Sequence, residues 1–341
     1  MGDFALGCIV AIATGMCALS GSATEDFLFY VRPLDPKEHP AYGRYHAKPV
    51  DPALMRGRYE FVSMKGDVGS FTSGEYDRMT RELDCGRIVH PTIHSMFGPG
   101  RERNLTNLVH EIRQRDLILS APWWQVPAWG SQIHPTRDQY DYLERELGEA
   151  WLGMENGEQG GRYLKSFTLG KCPQEGKGRF GRYLDFNRFF DRLSVWMGDR
   201  MVLFSATTLT PYLLREGVYT CHGMETSQHH ANTQVSYAFI RGAGKQYGVP
   251  WYGDVSLYGR WGWKNNRRSK VEPATFHDGR EDMGTSYSLM KRLAYEQYFH
   301  NCLFGSMEGI QFDEQGRLFG SGRILRDLRS RRDKLGDLLM E

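Results

Sequence analysis

The stretch NTQVSYAFIRGAGKQYGVPWYG, residues 232–253, contains one complete helix-to-strand unit. Residues 232–247 predict a helix that ends at Gly248, a typical C-cap glycine, and residues 249–253 predict a strand. The same alternation extends in both directions along the chain. Strands are predicted at 59–64, 87–93, 116–121, 150–154, 201–205, 217–221, 249–253 and 302–307. Helices are predicted at 73–83, 104–113, 136–147, 186–197, 232–247, 285–300 and 324–339, while the connector around 211–215 is short for a full crossover.

Eight strand–helix units predict an α/β fold in which a parallel sheet closes into a (β/α)8 TIM barrel, an architecture of about 250 residues or more. Near-continuous apolar strands are typical of a parallel sheet that is covered on both faces. A doubly wound open sheet is the alternative, but no GxGxxG or GxxxxGKS/T pattern follows the first strand. We expect the barrel to span residues 58–341, with an extension at 24–57 packed on its outside.

The first 23 residues have the pattern of a signal peptide. Residues 4–19 are almost uninterruptedly apolar or small, and the small residues 20–23 resemble a cleavage site, although Asp3 stands where Lys or Arg is usual. At 16 residues the run is shorter than the roughly 20 that a membrane span needs. The sequence therefore predicts a secreted or periplasmic protein with no transmembrane segment after cleavage, and an uncleaved anchor is the alternative.

The amino-acid composition argues against some classes of function and for others. The 341 residues carry 43 Lys and Arg against 41 Asp and Glu, so no basic excess suggests binding to nucleic acid. Cleavage of the signal would leave four cysteines without a CxxC pair, which favours buried thiols over a zinc ribbon, with one or two disulfides as the alternative. These cysteines are Cys85, Cys172, Cys221 and Cys302. Aromatic residues make up 13% of the chain, which is more than a core requires and predicts a surface for flat, partly apolar partners.

In a TIM barrel the reactive groups follow the carboxyl ends of the strands. Carboxylates stand there after the fourth, sixth, seventh and eighth predicted strands, and six of the eight tryptophans lie in the loops after the third and seventh strands or at the end of the seventh. The candidate catalytic residues are Glu155, Glu158, Glu225, Asp254 and Glu308. The candidate substrate-binding residues are Trp123, Trp124, Trp129, Asn156, His94, His222, Tyr258, Trp261 and Trp263. Paired carboxylates beside tryptophan faces are the groups that glycoside cleavage uses, and this chemistry needs no cofactor.

The segment WLGMENGE, residues 151–158, resembles the end of the fourth strand in TIM-barrel glycoside hydrolases of clan A. That resemblance implies a carbohydrate substrate and a general-acid Glu, often preceded by Asn. Here Asn156 is followed by Gly157, so Glu155 and Glu158 both stay candidates for the acid. For the second carboxylate, the chain offers Asp254 where clan-A enzymes have a nucleophilic Glu. Glu308 and Glu225 are further options, and the order Glu158, Asp254, Glu308 is similar to that of the inverting family-98 enzymes.

Two other functions stay open at this stage. A carbohydrate-binding barrel without catalysis would keep the tryptophans but misplace the carboxylates. A metal-dependent hydrolase would use His90, His94, His229 and Glu225, but no HxH or HExxH signature is present, so no metal site is predicted.

Overall fold

The computed structural model describes parts of one compact unit, residues 45–341. The described residues are 45–55, 60–66, 72–84, 86–91, 93–98, 100–120, 135–155, 197–200, 203–204, 210–226, 232–256, 287–307, 311 and 317–335. The predicted signal peptide and most of the predicted extension lie outside them. Among the described residues, no helix is long and apolar enough to cross a membrane.

Strands and helices alternate along this part of the chain, as the sequence predicted. The strands are β1 (Glu60–Gly66), β2 (Ile88–Pro91), β3 (Ile118–Leu119), β4 (Leu203–Phe204), β5 (Cys221–Thr226), β6 (Trp251–Val255) and β7 (Phe304–Met307). The α-helices are α1 (Ser73–Asp77), α2 (Ile93–Phe97), α3 (Glu102–Arg115), α4 (Arg137–Leu147), α5 (Thr210–Arg215), α6 (Thr233–Tyr247), α7 (Tyr287–Phe299) and α8 (Gly320–Leu335). A π-helical turn, Arg78–Glu82, continues α1, and 3₁₀ turns occupy Pro52–Met55 and Gly148–Ala150.

Two helix ends have the caps that their sequences predict. Thr136 accepts a hydrogen bond from the backbone N–H of Gln139, whose side chain in turn accepts one from the Thr136 N–H, so α4 begins with a capping box. Gly248 ends α6 in the left-handed conformation with φ +69°, which glycine adopts without strain. The last helix begins four residues before the predicted position, at Gly320.

The strands form one parallel sheet in the order β3-β2-β1-β7-β6-β5-β4. Beyond β3, Trp151 makes a parallel bridge with Leu119, and the Leu152 N–H donates to the Leu119 carbonyl at 2.9 Å. Residues 151–155 therefore take the place of the predicted fourth strand beside β3, with bridge residues at Trp151 and Glu155.

The sheet is curled rather than flat. Tyr252 of β6 and the segment that holds Glu155 are five strand positions apart along the sheet order, which is about 24 Å in a flat sheet. Yet the Tyr252 hydroxyl lies 3.3 Å from Oε1 of Glu155. Thr220, just before β5, also reaches the segment beyond β3, because its hydroxyl donates to the Leu152 carbonyl at 3.1 Å. Residues from both ends of the strand order therefore face one interior, on the concave side of the sheet.

An apolar cluster fills the part of this interior near the amino-terminal ends of the strands. It takes one side chain from most of the strand positions around the sheet, and each member is buried. The strand members are Ile88, Ile118, Leu152, Cys221, Tyr252 and Phe304. Val50 and Met55 join them from the segment before β1. Because the Val50 N–H donates to the carbonyl of Thr220, just before β5, this segment covers the amino-terminal ends of the strands and leaves the carboxyl ends for the site.

The predicted sixth strand, 217–221, was wrong by about four residues: the strand is β5, Cys221–Thr226. The apolar run before it instead caps α5. The N–H groups of Gly217 and Val218 donate to the carbonyls of Leu214 and Leu213, which is the Schellman pattern, and Gly217 has φ +78°. Residues 217–220 therefore belong to the C-cap of a helix, although their composition is typical of a strand. The connector around 211–215 is itself helical.

Candidate active site

Three of the five candidate carboxylates lie among the described residues, and the structure brings them to the carboxyl end of the curled sheet. Glu155 follows the bridge at Trp151, Glu225 lies on β5, and Asp254 lies on β6. Glu158 and Glu308 lie outside the described residues. The same holds for Asn156, Trp123, Trp124, Trp129, Tyr258, Trp261 and Trp263.

Glu155 has a polar partner at each carboxylate oxygen. The His90 Nε2 atom lies 2.9 Å from Oε2, and the Tyr252 hydroxyl donates to Oε1 at 3.3 Å. The side chains of His90 and Glu155 are 15% and 12% exposed, so this contact is largely shielded from water. Hydrogen bonds to a charged group in such a setting are stronger than those between neutral groups.

His90 is held from its other side by Ser120 of the segment after β3. The Nδ1 atom lies 2.5 Å from the Ser120 Oγ. The same hydroxyl lies 3.4 Å from the Val89 carbonyl, and toward Nδ1 either atom can be the donor. Ser120 therefore fixes the orientation of the His90 ring.

Glu225 and Asp254 are direct neighbours across the β5–β6 ladder, since their α-carbons are register partners. Both are buried. Cys221 and Tyr252 belong to the interior cluster, and residues at even spacing along a strand share a face, so Glu225 and Asp254 point to the same interior. Val255, the residue after Asp254, packs in the helix layer, which agrees with this assignment.

The floor beneath the carboxylates is aromatic. The rings of Tyr252 and Phe304 are stacked, with centroids 4.7 Å apart and an interplanar angle of 8°. This stack fixes the direction of the Tyr252 hydroxyl toward Glu155. Ser306, two residues after Phe304, is the register partner of Asp254 and is also buried, so a hydroxyl group borders the carboxylates on the β7 side.

A buried hydrogen-bond chain supports the strands from behind. The hydroxyls of Thr226 and Tyr237 lie 2.5 Å apart, and the Gln297 amide donates to the Tyr237 hydroxyl at 3.2 Å. Burial raises the pKa of Tyr237 well above its usual range, so this hydroxyl keeps its proton. The chain joins α6 and α7 to β5, and Gln297 packs directly against Gly253, the residue before Asp254.

His222 does not join the carboxylates. It is the second residue of β5, its side chain is fully buried, and its Nε2 lies next to Gly244 of α6, on the helix side of the sheet. Burial lowers the pKa of His222 to about 3. The sequence placed this residue in a loop because it put the sixth strand four residues too early. His94 lies in α2 rather than directly after β2, and its side chain is outside the described part of the chain.

Comparison with known proteins gives a similarity of chain trace only. No protein-family model and no curated protein match the chain. A GH5 cellulase from an Icelandic hot spring isolate has a TM-score of 0.49 at 7% identity, covering 80% of this chain and 87% of that one. A GH5-4 broad-specificity endoglucanase from an uncultured bacterium has 0.46 at 9%, covering 83% and 97%. A β-mannanase from Thermomonospora fusca has 0.41 at 10%, covering 76% and 80%.

These similar structures are glycoside hydrolases. They belong to the class that segment 151–158 resembles. At 7–10% identity and these TM-scores, the similarity gives no residue of this chain a role, so roles follow from the geometry of the chain itself.

Sequence reasoning missed Tyr252, Ser120 and Ser306 as site residues, and it did not pair His90 with a carboxylate. A signal for Tyr252 existed, because it stands two residues before Asp254 and therefore shares its face of the strand. No local signal pointed to Ser120 as the partner of His90. Among the described residues no group of three or more His, Cys, Asp or Glu side chains is arranged to hold a metal ion. The His229 of the proposed metal set lies outside the described residues.

Proposed function

We propose that this chain is a glycoside hydrolase that cleaves a polysaccharide or glycan with a pair of carboxylates at the carboxyl end of a (β/α)8 barrel. The observation that carries the proposal is the convergence of Glu155, Glu225 and Asp254 on one interior, with Tyr252 linking the Glu155 side to the Asp254 side. Glycoside cleavage needs one group that protonates the leaving oxygen and a second that attacks the sugar or activates water. Glu155, Glu225 and Asp254 are the described groups that would fill these two roles.

The contact between Tyr252 and Glu155 supports two opposed carboxylates rather than a row along one edge. Tyr252 and Asp254 share a face of β6, and the Tyr252 hydroxyl spans the interior to Glu155. A sugar seated between them would therefore have Glu155 on one side and the neighbours Asp254 and Glu225 on the other. Of the three, Glu155 combines with either neighbour to make the reactive pair, and Glu158 and Glu308 stay further candidates.

The remaining parts of the enzyme follow from the sequence. We propose that residues 1–23 are a signal peptide that directs secretion and that residues 24–57 pack on the barrel. We propose that Trp123, Trp124 and Trp129 form one wall of the substrate cleft. Tyr258, Trp261 and Trp263 would form the other, with Asn156 and His94 between the walls. Tryptophan faces stack on the apolar faces of sugar rings.

The test is a glycan panel scored for new reducing ends, followed by carboxamide variants of the three carboxylates on whichever glycan is cleaved. Glu155→Gln should lower kcat/KM by about 10³-fold, and one of Asp254→Asn or Glu225→Gln should do the same. Glu102→Gln is the matched control, because Glu102 is exposed on α3 and makes no contact with the three carboxylates that the described residues record. Its activity should equal that of the wild type.

Three results would contradict the proposal. Glycans that bind the protein without being cleaved would favour the carbohydrate-binding barrel. Loss of activity on treatment with a chelator, restored by zinc, would favour the metal-dependent hydrolase. Full activity in all three carboxamide variants would place the reactive groups outside this site.

A further inference from the structure

We propose that the buried hydrogen-bond chain on the helix side of the sheet positions the carboxylate of Asp254 for the reaction. The chain consists of Thr226, Tyr237 and Gln297, which act through the backbone of β6. This inference rests on the proposed glycoside hydrolase function. It commits to Asp254, rather than its neighbour Glu225, as the second reactive carboxylate.

The pleat of the two strands places the chain directly behind the carboxylates. On β5, Thr226 follows Glu225, and on β6, Gly253 precedes Asp254. Because successive residues of a strand point to opposite faces, Thr226 and Gly253 lie on the helix side while the carboxylates face the interior. The contacts agree, since Thr226 meets a side chain of α6 and Gly253 meets a side chain of α7.

Three contacts make up the chain. The Gln297 amide donates to the Tyr237 hydroxyl at 3.2 Å. That hydroxyl lies 2.5 Å from the Thr226 hydroxyl, a contact in which either oxygen can be the donor. The Thr226 hydroxyl in turn lies 3.4 Å from the backbone carbonyl oxygen of Asp254. The chain therefore runs from α7 through α6 and β5 to the peptide group of Asp254.

Burial shields the chain from competition by water. Thr226 and Tyr237 are fully buried, and Gln297 is 1% exposed. In such surroundings, removal of one hydroxyl leaves its buried partner without that hydrogen bond, which is costly. The chain therefore resists displacement of the strand ends to which it is bonded.

Glu296 fixes α6 against α7, the two helices that carry the outer members of the chain. Its Oε2 accepts a hydrogen bond from the Thr233 hydroxyl at 3.1 Å, and its Oε1 accepts one from the Gln234 amide at 3.0 Å. Gly253 allows α7 to approach β6 closely, because a β-carbon there would overlap the Gln297 amide. The pair of helices is thus held against the strand that carries the proposed reactive carboxylate.

The short side chain of Asp254 makes its backbone position important for the reaction. A single methylene joins the carboxyl group to the main chain, so a displacement of the β6 peptide moves the carboxylate by nearly the same distance. A misplacement of about 1 Å can lower the rate of an enzyme by about 10²-fold. Asp254 makes further contacts, and the chain acts in addition to them.

Variants that lose a single hydroxyl test the chain. Thr226→Val and Tyr237→Phe keep the shape of the side chain and remove the hydroxyl. We expect each to lower kcat by about tenfold on the cleaved glycan and to keep KM within about twofold of the wild type, because the chain lies outside the interior. Thr226→Ser keeps the hydroxyl and should keep the wild-type kcat. Wild-type kcat in folded Thr226→Val and Tyr237→Phe would overturn the proposal.

Tyr140→Phe is the matched control for a general loss of stability. Tyr140 is fully buried, and its hydroxyl lies 3.1 Å from the carbonyl oxygens of Met197 and Arg200, before β4. Its melting temperature should fall about as much as that of Tyr237→Phe, while its kcat stays at the wild-type value. An equal loss of kcat in both variants contradicts the proposal. If Tyr237→Phe does not fold, the comparison of Thr226→Val with Thr226→Ser decides.

A double-mutant cycle shows whether the chain acts through Asp254. Asp254→Asn should lower kcat/KM by about 10³-fold, and addition of Thr226→Val should lower the residual activity by less than about twofold. A further tenfold loss would place the action of the chain elsewhere and overturn the proposal. Full activity in Asp254→Asn with loss of activity in Glu225→Gln would also overturn it, but would leave the glycoside hydrolase function intact. A wild-type protein that cleaves no glycan would instead refute the proposed function.

Discussion

The hydroxyl of Tyr252 lies 3.3 Å from Oε1 of Glu155, although the two residues come from opposite parts of the sheet order. This one contact shows that the parallel sheet curls around an interior. It also shows which wall of that interior Glu155 faces. The carboxylate lies opposite the strand that holds Asp254.

Removal of that hydroxyl should affect catalysis more than folding. In Tyr252→Phe the ring still stacks on Phe304, so the melting temperature should stay close to that of the wild type. The lost hydrogen bond to a charged group is worth about 1.5–3 kcal/mol, which corresponds to a fall in kcat/KM of roughly 10-fold or more. Steady-state kinetics together with a thermal melt measure both. An activity equal to that of the wild type would mean that this contact does not matter in the reaction.

Gly253 should tolerate no larger side chain. A β-carbon there would overlap the side-chain amide of Gln297, whose neighbours Tyr237 and Thr226 are also buried and hydrogen-bonded. Gly253→Ala should therefore lower the free energy of unfolding by about 1–3 kcal/mol, as overpacking of a core does. Urea denaturation followed by circular dichroism measures this.

A matched glycine tests whether packing is the cause. Gly242 lies exposed within α6, and a β-carbon there would meet nothing within 4 Å. Gly242→Ala should raise stability by up to about 1 kcal/mol, since alanine has the higher helix propensity. Equal effects of the two substitutions would contradict the packing argument at Gly253.

Cys221 and Cys302 should be unreactive in the folded protein. Both are free thiols in the described part of the chain, and both are buried. Burial raises the pKa of the Cys221 thiol well above its usual range, which removes the thiolate that alkylating reagents attack. Iodoacetamide at pH 8 followed by peptide mass mapping should modify neither residue in buffer and both in 6 M guanidinium chloride. Rapid labelling of Cys221 in buffer would show that the interior of the sheet opens.

His222 should make the protein less stable in mild acid. Its pKa is lowered by burial to about 3 in the folded state, with the Val249 carbonyl acting weakly in the opposite direction, while an unfolded histidine titrates near 6.5. The unfolded state therefore binds the proton first as the pH falls. The stability that His222 contributes is complete above about pH 6.5 and declines toward pH 3, by at most about 1.4 kcal/mol per pH unit.

The slope of the free energy of unfolding against pH isolates the contribution of His222. His222→Gln cannot titrate, so its free energy of unfolding should fall less steeply between pH 6.5 and 4 than that of the wild type. His110→Gln removes an exposed histidine and should keep the wild-type slope. Parallel slopes for the wild type and His222→Gln would show that the buried ring accepts a proton in the folded protein.

The order and type of most elements could be predicted from sequence, because apolar periodicity and caps are local properties. Thr136 and Gly248 mark the ends of α4 and α6 through hydrogen bonds within a few residues of themselves. The run 217–221 was misassigned because its apolar residues are compatible with a strand and with a Schellman cap alike. Only the contacts of Gly217 and Val218 with α5 distinguish the two.

The sequence by itself determined the alternation of strands and helices and the placement of carboxylates near the strand ends. The tertiary structure decided which of these carboxylates lie close together. The four-residue displacement of β5 placed His222 and Glu225 within the strand rather than after it. Because a strand places successive side chains on opposite faces, His222 lies on the helix side and Glu225 faces the interior. The pairing of His90 with Ser120 and Glu155, and of Glu155 with Tyr252, joins residues that are 30 to 97 positions apart. Such contacts depend on how the sheet curls, which no local pattern records.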